Sequence, residues 1–311
     1  MPAVSVIMPV FNGARYINTA IDSILKQSFQ DIELIVVDDG SRDGTANIVS
    51  SIGDKRVKYI YQENQGSSSA INRGMQIAKG NLIAHCDCDD IWNREKLKKQ
   101  VAILETDLDI VLAGTWAIII DEQGKRIGTH KHTSKSRKLK LELIFRNPFV
   151  HSSILYRKNV AQDIGGYLTD SDHAPPEDYE FITRMATKGK IINIEELLVR
   201  YRHHDCGVSK RQADQIRSNS VEISRLYIAK IDSYKLAQAA QYLAMFAIDH
   251  SCPTTVGQAR DLLLLTSVLK EKMFLASIDD WIWFIILVLI ATAKKIVPLK
   301  TFRAKMRRIK I

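Results

Sequence analysis

The chain has 311 residues, of which 46% are hydrophobic and 25% charged, and its formal net charge is +9. This composition excludes a disordered or fibrous protein, and the length allows one large α/β domain with a smaller appendage. Four scattered cysteines, Cys86, Cys88, Cys206 and Cys252, argue against a disulfide scaffold.

The net charge is concentrated at the C-terminal end. Residues 294–311 contain eight Lys and Arg and no acidic residue, and so carry +8 of the +9. The nearly neutral remainder argues against nucleic acid as a partner. Residues 281–293 are uncharged but too few for the roughly 20 needed to span a bilayer. We predict that residues 281–311 lie on an anionic membrane surface, with a buried terminal helix as the alternative.

The N-terminal half alternates short β-branched runs with apolar residues at helical spacing. Such an alternation is typical of βαβ units and predicts a Rossmann-like α/β sheet flanked by helices. The predicted strands are 4–8, 32–37, 57–61, 81–85 and 110–120, and the predicted helices lie near 17–25, 43–52, 67–79 and 93–105.

Three polar clusters follow predicted strands, at residues 9–12, 38–41 and 87–90. In α/β sheets ligands bind beyond the carboxyl ends of the strands, so we expect these clusters to share one edge. Neither a G-x-G-x-x-G fingerprint nor a G-x-x-x-x-G-K-[ST] loop occurs, which argues against a dinucleotide site and a P-loop.

The third cluster places Asp87, Asp89 and Asp90 directly after an apolar run. In an extended backbone the side chains of Asp87 and Asp89 point to one face, where their charges repel. A divalent cation would relieve the repulsion, and oxygen ligands suit Mg²⁺ or Mn²⁺. The alternative is a solvated acidic turn in which Asp90 or Asn93 caps the next helix.

The second half shows less regular patterning. A basic stretch, 131–140, leads into residues 147–153, which we expect on the acceptor side, and helices are predicted at about 210–249 and 255–276. The N-terminal residues resemble a strand and turn without a basic region before them, so no secretory signal is predicted and we expect a cytoplasmic location.

Four blocks together resemble the family 2 glycosyltransferases of GT-A fold. They are residues 4–13, residues 33–45, the acidic cluster 87–90 and residues 177–181, in ordered succession over residues 3–205. The resemblance implies a GT-A domain at 1–208 with a mixed sheet, divided into a nucleotide-sugar half at about 1–120 and an acceptor half at about 121–208. Residues 209–311 would be a helical extension.

The resemblance assigns the nucleotide site to the ends of the first strands. It implies that Pro9, Val10 and Asn12 hold the nucleotide base and that Asp39 accepts a hydrogen bond from a uracil-type N–H. Asp38 or Asp39 would instead shape the turn and cap the following helix if only packing is involved.

The acidic cluster matches the family's D-x-D motif at Asp87-Cys88-Asp89. The resemblance implies that Asp87 and Cys88 contact the donor, that Asp89, with Asp87, binds Mn²⁺ or Mg²⁺, and that Asp90 braces them. A Tyr-Arg-x-His segment at 201–204 resembles the family's closing segment, in which Arg202 would neutralise phosphate and His204 would contact metal or phosphate.

Asp178 matches the family's Glu-Asp motif and would be the general base that deprotonates an acceptor hydroxyl. Pro175 and Pro176 precede a predicted helix, so a dipole-complementing role in its first turn is the structural alternative. A single base and a single displacement imply inversion at the anomeric carbon. One departure from the family is Ile71, which stands where relatives carry arginine; Arg73 lies about 200° further around the helix.

These observations predict an inverting, metal-dependent glycosyltransferase. It would move a sugar from a nucleotide-diphosphate sugar, with UDP as the expected nucleotide, to a glycan or lipid-linked glycan of the cell envelope. The alternatives are a polyprenyl-phosphate sugar synthase and a non-catalytic membrane scaffold. A zinc site is a further alternative, with His85, Cys86 and Cys88 joined by His203, His204 and Cys206.

Overall fold

The computed structural model describes residues 1–169, 176–204 and 213–231. Helices pack against a mixed sheet that has nine strands within these residues. In chain order the elements are β1 (Val4–Val10), α1 (Ile17–Leu25), β2 (Ile32–Asp39), α2 (Thr45–Ser50), β3 (Val57–Gln62), α3 (Ser67–Ile77), β4 (Leu82–His85), β5 (Ile91–Trp92), α4 (Lys96–Thr106), β6 (Ile110–Ile120), β7 (Arg126–His130), α5 (Ser136–Glu142), a 3₁₀ turn (His151–Ser153), β8 (Leu155–Arg157), α6 (Lys158–Asp163), α7 (Glu177–Lys188), β9 (Lys190–Arg202) and α8 (Ala213–Ile231).

The first four strands form the parallel half of the sheet, in the order β3-β2-β1-β4. Val10 pairs with Asp38, whereas β4 ends at His85, opposite Ile7. The chain therefore leaves β4 three residues before the end of β1. This offset places the segment after His85 beneath the loop that follows β1.

The second half of the sheet mixes strand directions. β8 joins β4 to β6 by antiparallel pairing on both sides, β9 runs parallel to β6, and β5 and β7 pair antiparallel with β9 and β6. The α/β class and the mixed GT-A-type sheet expected from the resemblance are confirmed.

The core forms because the helices present one apolar stripe to the sheet. In α1 the buried residues are Ile17, Ala20, Ile21 and Ile24, which recur at the i, i+3, i+4, i+7 spacing of one helix face. In β1 and β2 nearly every residue is buried, as expected for strands covered on both faces.

Most predicted bounds agree with the elements to within about three residues. The helix after the acidic cluster begins later than expected: α4 starts at Lys96 with Glu95 at the N-cap, so neither Asp90 nor Asn93 caps it. Asn93 instead accepts a hydrogen bond from the Glu95 N–H at 3.0 Å, which shapes the turn before the helix.

The structure divides into two compact units, Met1–Leu139 with Pro148–Ala213, and Lys140–Asn147 with the chain from Asp214. In the second unit the Ser224 hydroxyl donates to the Ile144 carbonyl at 2.6 Å. Residues 140–147 thus group with this unit, and the acceptor half at about 121–208 stays a prediction.

The helical extension is described only in part. The helix Ala213–Ile231 falls within the predicted helix 210–249, while the helix at 255–276 and the segment 281–311 lie outside the described residues. Within the described parts, no helix has the length and apolarity to cross a bilayer.

Candidate active site

The loops that follow β1 and β2 are joined by hydrogen bonds. Asn12 has a φ of 55°, a left-handed conformation that asparagine tolerates better than most residues. Its N–H donates to Ser41 Oγ at 2.8 Å, and its Oδ1 accepts from the Arg42 N–H at 2.9 Å. The Gly13 N–H donates to Thr45 Oγ1 at 2.9 Å. The two loops therefore form one connected polar rim.

Pro9 and Val10 are the last residues of β1. Val10 is buried and pairs with Asp38, and Pro9 pairs with Val37. The side chain of Val10 belongs to the hydrophobic core, so any nucleotide contact at this position would involve its main chain.

Asp39 is buried and already bonded on both oxygens. Its Oδ1 accepts from Gln62 Nε2 at 2.7 Å and from the Gln65 N–H at 2.9 Å, and its Oδ2 accepts from the Gly66 N–H at 2.8 Å. The carboxylate thus organises the chain between β3 and α3. The predicted contact of Asp39 with the nucleotide base stays a prediction, and it would have to use the remaining lone pair of Oδ2.

The acidic cluster forms a turn rather than the extended segment that we expected. The Asp90 N–H donates to the Asp87 carbonyl at 3.3 Å, which closes the turn. Asp87 and Asp89 have different partners: Asp87 lies 2.9 Å from His85 Nε2 and accepts from Ser152 Oγ at 3.0 Å, whereas Asp89 Oδ2 lies 2.8 Å from His204 Nε2.

Asp90 is fully buried beneath this turn. Its Oδ1 accepts the Arg202 N–H at 2.7 Å, while its Oδ2 has no hydrogen-bond partner among the described residues. Burial, and then the neighbouring charges of Asp89 and Asp87, raise the pKa of Asp90 well above its usual value. Three carboxyl groups are therefore crowded together.

The pKa of Asp87 is shifted in the opposite direction. Burial by itself would raise the pKa of Asp87, but His85, His151 and Ser152 together hold it below its usual value. Within the described parts of the chain, no Lys or Arg side chain forms an ion pair with this carboxylate or with Asp89. Because no Lys or Arg side chain that the structure describes offsets the negative charge of these carboxylates, the cluster suits a divalent cation with oxygen ligands.

Arg202 anchors the segment that carries His204. Its guanidinium donates to the carbonyls of Asp89, Asp121 and Glu122 at 2.9 to 3.0 Å and lies over the Tyr16 ring. Because the guanidinium is bonded to the main chain, Arg202 holds the end of β9 against the acidic turn. The phosphate contact that we expected from Arg202 stays a prediction.

His204 lies on the solvent-accessible side of the acidic turn. Its hydrogen bond to Asp89 raises the pKa of His204 above its usual value. Both side chains remain partly accessible, with 16% of His204 and 22% of Asp89 exposed. The pair therefore offers one nitrogen and one carboxylate to a ligand that approaches from solvent.

A buried polar scaffold supports the turn from below. The Trp92 indole N–H donates to the Ser152 carbonyl at 2.9 Å, and Gln100 Nε2 donates to the Ser153 carbonyl at 2.8 Å. The Lys96 ammonium is fully buried, lies 3.7 Å from the centroid of the Trp92 ring and donates to Gln100 Oε1 at 2.9 Å. Ser152 in turn bonds Asp87, so this scaffold fixes the acidic turn.

His85, Asp87 and His151 are a second candidate metal site, because one ligand atom of each lies within 4.8 Å of the others. The rings of His85 and His151, however, are stacked with centroids 3.5 Å apart and planes 11° from parallel. A metal ion binds in the plane of each imidazole, and two parallel planes share no such point. We therefore interpret the three residues as a hydrogen-bonded stack.

The thiols give little support to the zinc alternative. Burial raises the pKa of both Cys86 and Cys88 well above the usual value, and the nearby aspartates raise it further. Zinc binds thiolates, which this acidic environment disfavours. Cys86 Sγ also donates to the Asp87 carbonyl.

Asp178 lies in the first turn of α7, as predicted. Its Oδ1 accepts the Tyr179 N–H at 2.7 Å, which is the helix-start role that we gave as the structural alternative. Its charge and that of Glu177 contribute, after burial, to raising the pKa of Tyr167. The structure thus groups Asp87, Cys88, Asp89 and His204 at the acidic turn, and it places Asp178 beside Tyr167.

The family's missing arginine has a structural explanation. Ile71 is buried in the core, while Arg73 is exposed on another face of α3. The Asn72 side chain makes two hydrogen bonds to the main chain of Tyr167. Its Nδ2 donates to the Tyr167 carbonyl at 2.7 Å, and its Oδ1 accepts from the Tyr167 N–H at 2.9 Å. At this position the helix supports a distant loop.

Sequence reasoning missed the roles of Ser152, Trp92 and Lys96. Residues 147–153 were expected on the acceptor side, but no pattern pairs Ser152 with Asp87, 65 positions away. Lys96 resembles an exposed helix residue, since neighbouring lysines surround it. Only the packing of α4 on the sheet shows that it is buried.

A nucleotide-binding α/β sheet with a D-x-D turn at the carboxyl end of β4 is the architecture of GT-A enzymes. The family model for Glycosyl transferase family 2 matches residues 5–165. An uncharacterized glycosyltransferase of Rickettsia typhi is 33% identical over 226 residues, which cover 69% of this chain and 68% of that protein. The chain belongs to glycosyltransferase family 2.

Other similar proteins cover more of the chain. An uncharacterized glycosyltransferase of Haemophilus influenzae is 29% identical over 80% of this chain and 82% of that protein. S. aureus TarS 1–349, in complex with UDP-GlcNAc, has a TM-score of 0.64 at 20% identity, with 88% of this chain and 82% of TarS covered. The mannosyltransferase PcManGT from Pyrobaculum calidifontis, in complex with GDP-Man and Mn²⁺, has a TM-score of 0.55 at 19% identity over 94% and 86% of the chains.

Proposed function

We propose that this glycosyltransferase moves a sugar from a UDP-sugar to a hydroxyl group of a glycan or lipid-linked glycan, with inversion at the anomeric carbon. The acidic turn with the Asp89–His204 pair carries the proposal. It presents a carboxylate and an imidazole at the carboxyl end of β4, beside the rim formed by the loops after β1 and β2. That edge of the sheet is where nucleotides bind in folds of this kind.

The ligands proposed for Mn²⁺ or Mg²⁺ are Asp89 and His204, with Asp87 toward the donor. The crowded carboxyl groups that raise the pKa of Asp90 are the observation that fits a cation. Bound there, the ion would act as a Lewis acid for the departing diphosphate. Residues of the chain keep the site in shape: Arg202 holds the turn through the Asp89 carbonyl, and Ser152 orients Asp87.

Asp178 is the proposed general base. It lies half-buried at the start of α7, with one oxygen fixed by the Tyr179 N–H. A fixed carboxylate can take the proton from an attacking hydroxyl as the new glycosidic bond forms. This displacement needs one base and no covalent sugar–enzyme intermediate.

The proposed setting is cell-envelope polysaccharide synthesis at the cytoplasmic face of a membrane. The basic residues of 294–311 and the apolar run before them support it, since cations and amphipathic segments favour anionic lipid. The acceptor would then be presented at the surface where the enzyme is attached.

The test is metal-dependent release of nucleoside diphosphate. Wild-type protein is incubated with a panel of UDP-, GDP- and dTDP-sugars, with Mn²⁺, Mg²⁺ or EDTA, and the released diphosphate is measured. We expect release from a UDP-sugar that requires the ion, and a fall of about 100-fold or more for Asp89→Asn.

Asp163→Asn is the matched control, because Asp163 is an exposed carboxylate on α6 that pairs with Lys188. It should keep wild-type activity. Equal release by Asp89→Asn and Asp163→Asn, or release that EDTA does not affect, would overturn the proposed metal role.

A further inference from the structure

Three aromatic side chains form a column next to the acidic turn, of which His85 and Tyr167 are buried and His151 is partly exposed. His85 Nε2 lies 2.9 Å from Asp87 Oδ1, and the ring of His151 stacks on that of His85 with centroids 3.5 Å apart. His151 Nε2 lies 2.9 Å from the hydroxyl of Tyr167. We call His85, His151 and Tyr167 the aromatic column. It begins at the carboxylate proposed to contact the donor.

The other end of the column lies against α7. The ring of Tyr167 stacks on Phe181 with centroids 4.0 Å apart and planes 7° from parallel. Asp178 and Glu177 are close enough to contribute, after burial, to the raised pKa of Tyr167. The column thus ends at Phe181, which lies three residues after Asp178 on the same helix.

The chain holds Tyr167 in place with unusual backbone geometry. Gly165 and Gly166 both have positive φ, 84° and 71°, which only glycine adopts readily. A Cβ on Gly166 would lie 2.6 Å from Asn72 Oδ1, the atom that accepts the Tyr167 N–H. Arg184 donates to the carbonyl of Gly166 at 2.7 Å. Two consecutive glycines in left-handed conformations and two side chains therefore determine the position of Tyr167.

Packing by itself would not require a hydroxyl there. The stack on Phe181 involves only the ring of Tyr167, whereas its hydroxyl is in hydrogen-bond contact with the buried Tyr156, which itself donates to Met75 Sδ at 3.4 Å. The Tyr167 hydroxyl also bonds His151, and the ring of His151 stacks on His85, the hydrogen-bond partner of Asp87.

We propose that His151 and Tyr167 are positioning residues that fix Asp87 and the start of α7 relative to each other, so that donor and general base are aligned. This inference rests on the proposed function. Neither residue touches the reacting atoms. They act through His85, which determines the rotamer of Asp87 together with Ser152, and through Phe181, which lies one turn into α7.

Tyr167→Phe tests the inference, because it removes the hydroxyl and keeps the stack on Phe181. The measurements are kcat and KM for diphosphate release from the UDP-sugar that the wild type uses best, and the melting temperature. We expect kcat to fall at least about tenfold, with KM within a factor of about two, since a misaligned base slows the reaction after the donor is bound. Tyr227→Phe is the matched control, because Tyr227 is also buried and its hydroxyl donates to the Lys140 carbonyl at 3.4 Å; it should keep the wild-type kcat with a similar change in melting temperature.

A second pair of variants separates the hydrogen bond from the stack. His151→Gln keeps a polar atom that can reach the Tyr167 hydroxyl, and His151→Phe keeps only the ring that lies on His85. We expect His151→Gln to retain several-fold more kcat than His151→Phe.

The two proposals fail in different ways. Wild-type protein that releases no diphosphate from any sugar nucleotide would overturn the proposed function, and this inference with it. Active wild type, with Tyr167→Phe equal to Tyr227→Phe in kcat, would overturn the inference only.

Discussion

Lys96 is a charged group without an opposite charge beside it in the described structure. Its side chain is fully buried, and its ammonium meets only the face of Trp92 and the amide of Gln100. Burial lowers the pKa of Lys96 to about 7, with the thiol of Cys86 as the titratable group that opposes this shift. In the unfolded chain the same amine keeps its proton up to about pH 10.5. The folded state therefore binds fewer protons than the unfolded state between these pH values.

The first prediction concerns this lysine. The free energy of unfolding should rise with pH from about 7 to about 10.5. In this range unfolding takes up a proton at Lys96, and proton uptake becomes less favourable as the pH rises. Lys96→Met removes this dependence. Urea unfolding of both proteins at several pH values measures it, and the difference between them should change by up to about 5 kcal/mol over the range. Lys98→Met, on the same helix, is the control, and parallel curves for wild type and Lys96→Met would refute the prediction.

At the residue scale the sequence indicated the acidic cluster and His204, but neither the turn that the cluster forms nor the residues that support it. Asp87, Cys88, Asp89 and His204 do come together, because the first three are adjacent in sequence and the match to the family's closing segment indicated the fourth. The partners of Asp87 were not predictable, since Ser152 and His85 bond it through a fold-dependent contact and a local turn. Long-range pairing of this kind leaves no periodic signal in one sequence.

At the scale of elements, α7 is tied to the loop before it by a buried ion pair. Arg184 bonds both oxygens of Glu180 and also donates to the Ile164 carbonyl at 2.6 Å. Only 10% of the Arg184 side chain and 8% of the Glu180 side chain are exposed. The pair therefore links the helix that carries Asp178 to the two glycines that position Tyr167.

The second prediction follows from this burial. Arg184→Met should lower the free energy of unfolding by about 3 to 5 kcal/mol, because it leaves the Glu180 carboxylate buried without a partner. Urea unfolding at pH 7 measures the change. Combining it with Glu180→Leu should restore part of the stability. Lys188→Met, which breaks the exposed pair with Asp163, should cost at most about 1 kcal/mol. Equal losses for the two single variants would contradict the prediction.

The elements themselves were predictable to different degrees. β1, β2, β3, β4 and β6 were found because their apolar runs are bounded by turns, and the run of β6 was predicted at its observed limits. β5 and β8 have two and three residues, too few for any period to be visible. β9 has 13 residues, but register shifts interrupt its pairing with β6 and break the alternation of buried and exposed positions.

At the scale of the whole molecule, the excess positive charge and the candidate active site lie in different parts of the sequence. The acidic turn lies in the described sheet, whereas the tail 294–311 holds +8 and lies outside the described residues. A cationic tail attracts anionic lipid headgroups by about 1 kcal/mol per Lys or Arg near the surface, less as salt increases.

The third prediction is that deleting residues 281–311 abolishes binding to vesicles of phosphatidylglycerol and phosphatidylcholine while diphosphate release in solution is kept. Co-sedimentation with the vesicles measures binding, and pure phosphatidylcholine vesicles are the control. Binding of the full chain should weaken between 0.05 and 0.5 M salt, concentrations chosen to span a Debye length of about 14 to 4 Å. Membrane partitioning that the deletion leaves unchanged would refute the membrane role of this segment.

Gly13 lies where the polar rim meets the acidic turn. A Cβ at this position would lie 2.5 Å from Val10 Cγ2 and 3.0 Å from Cys88 Sγ. The two loops therefore pack so closely that only a glycine fits between them. One loop ends the first strand and the other ends the fourth, yet neither can shift without displacing the other. If these loops bind the nucleotide and its diphosphate as proposed, the contact at Gly13 sets the distance between the two binding regions, and we expect Gly13→Ala to disturb both.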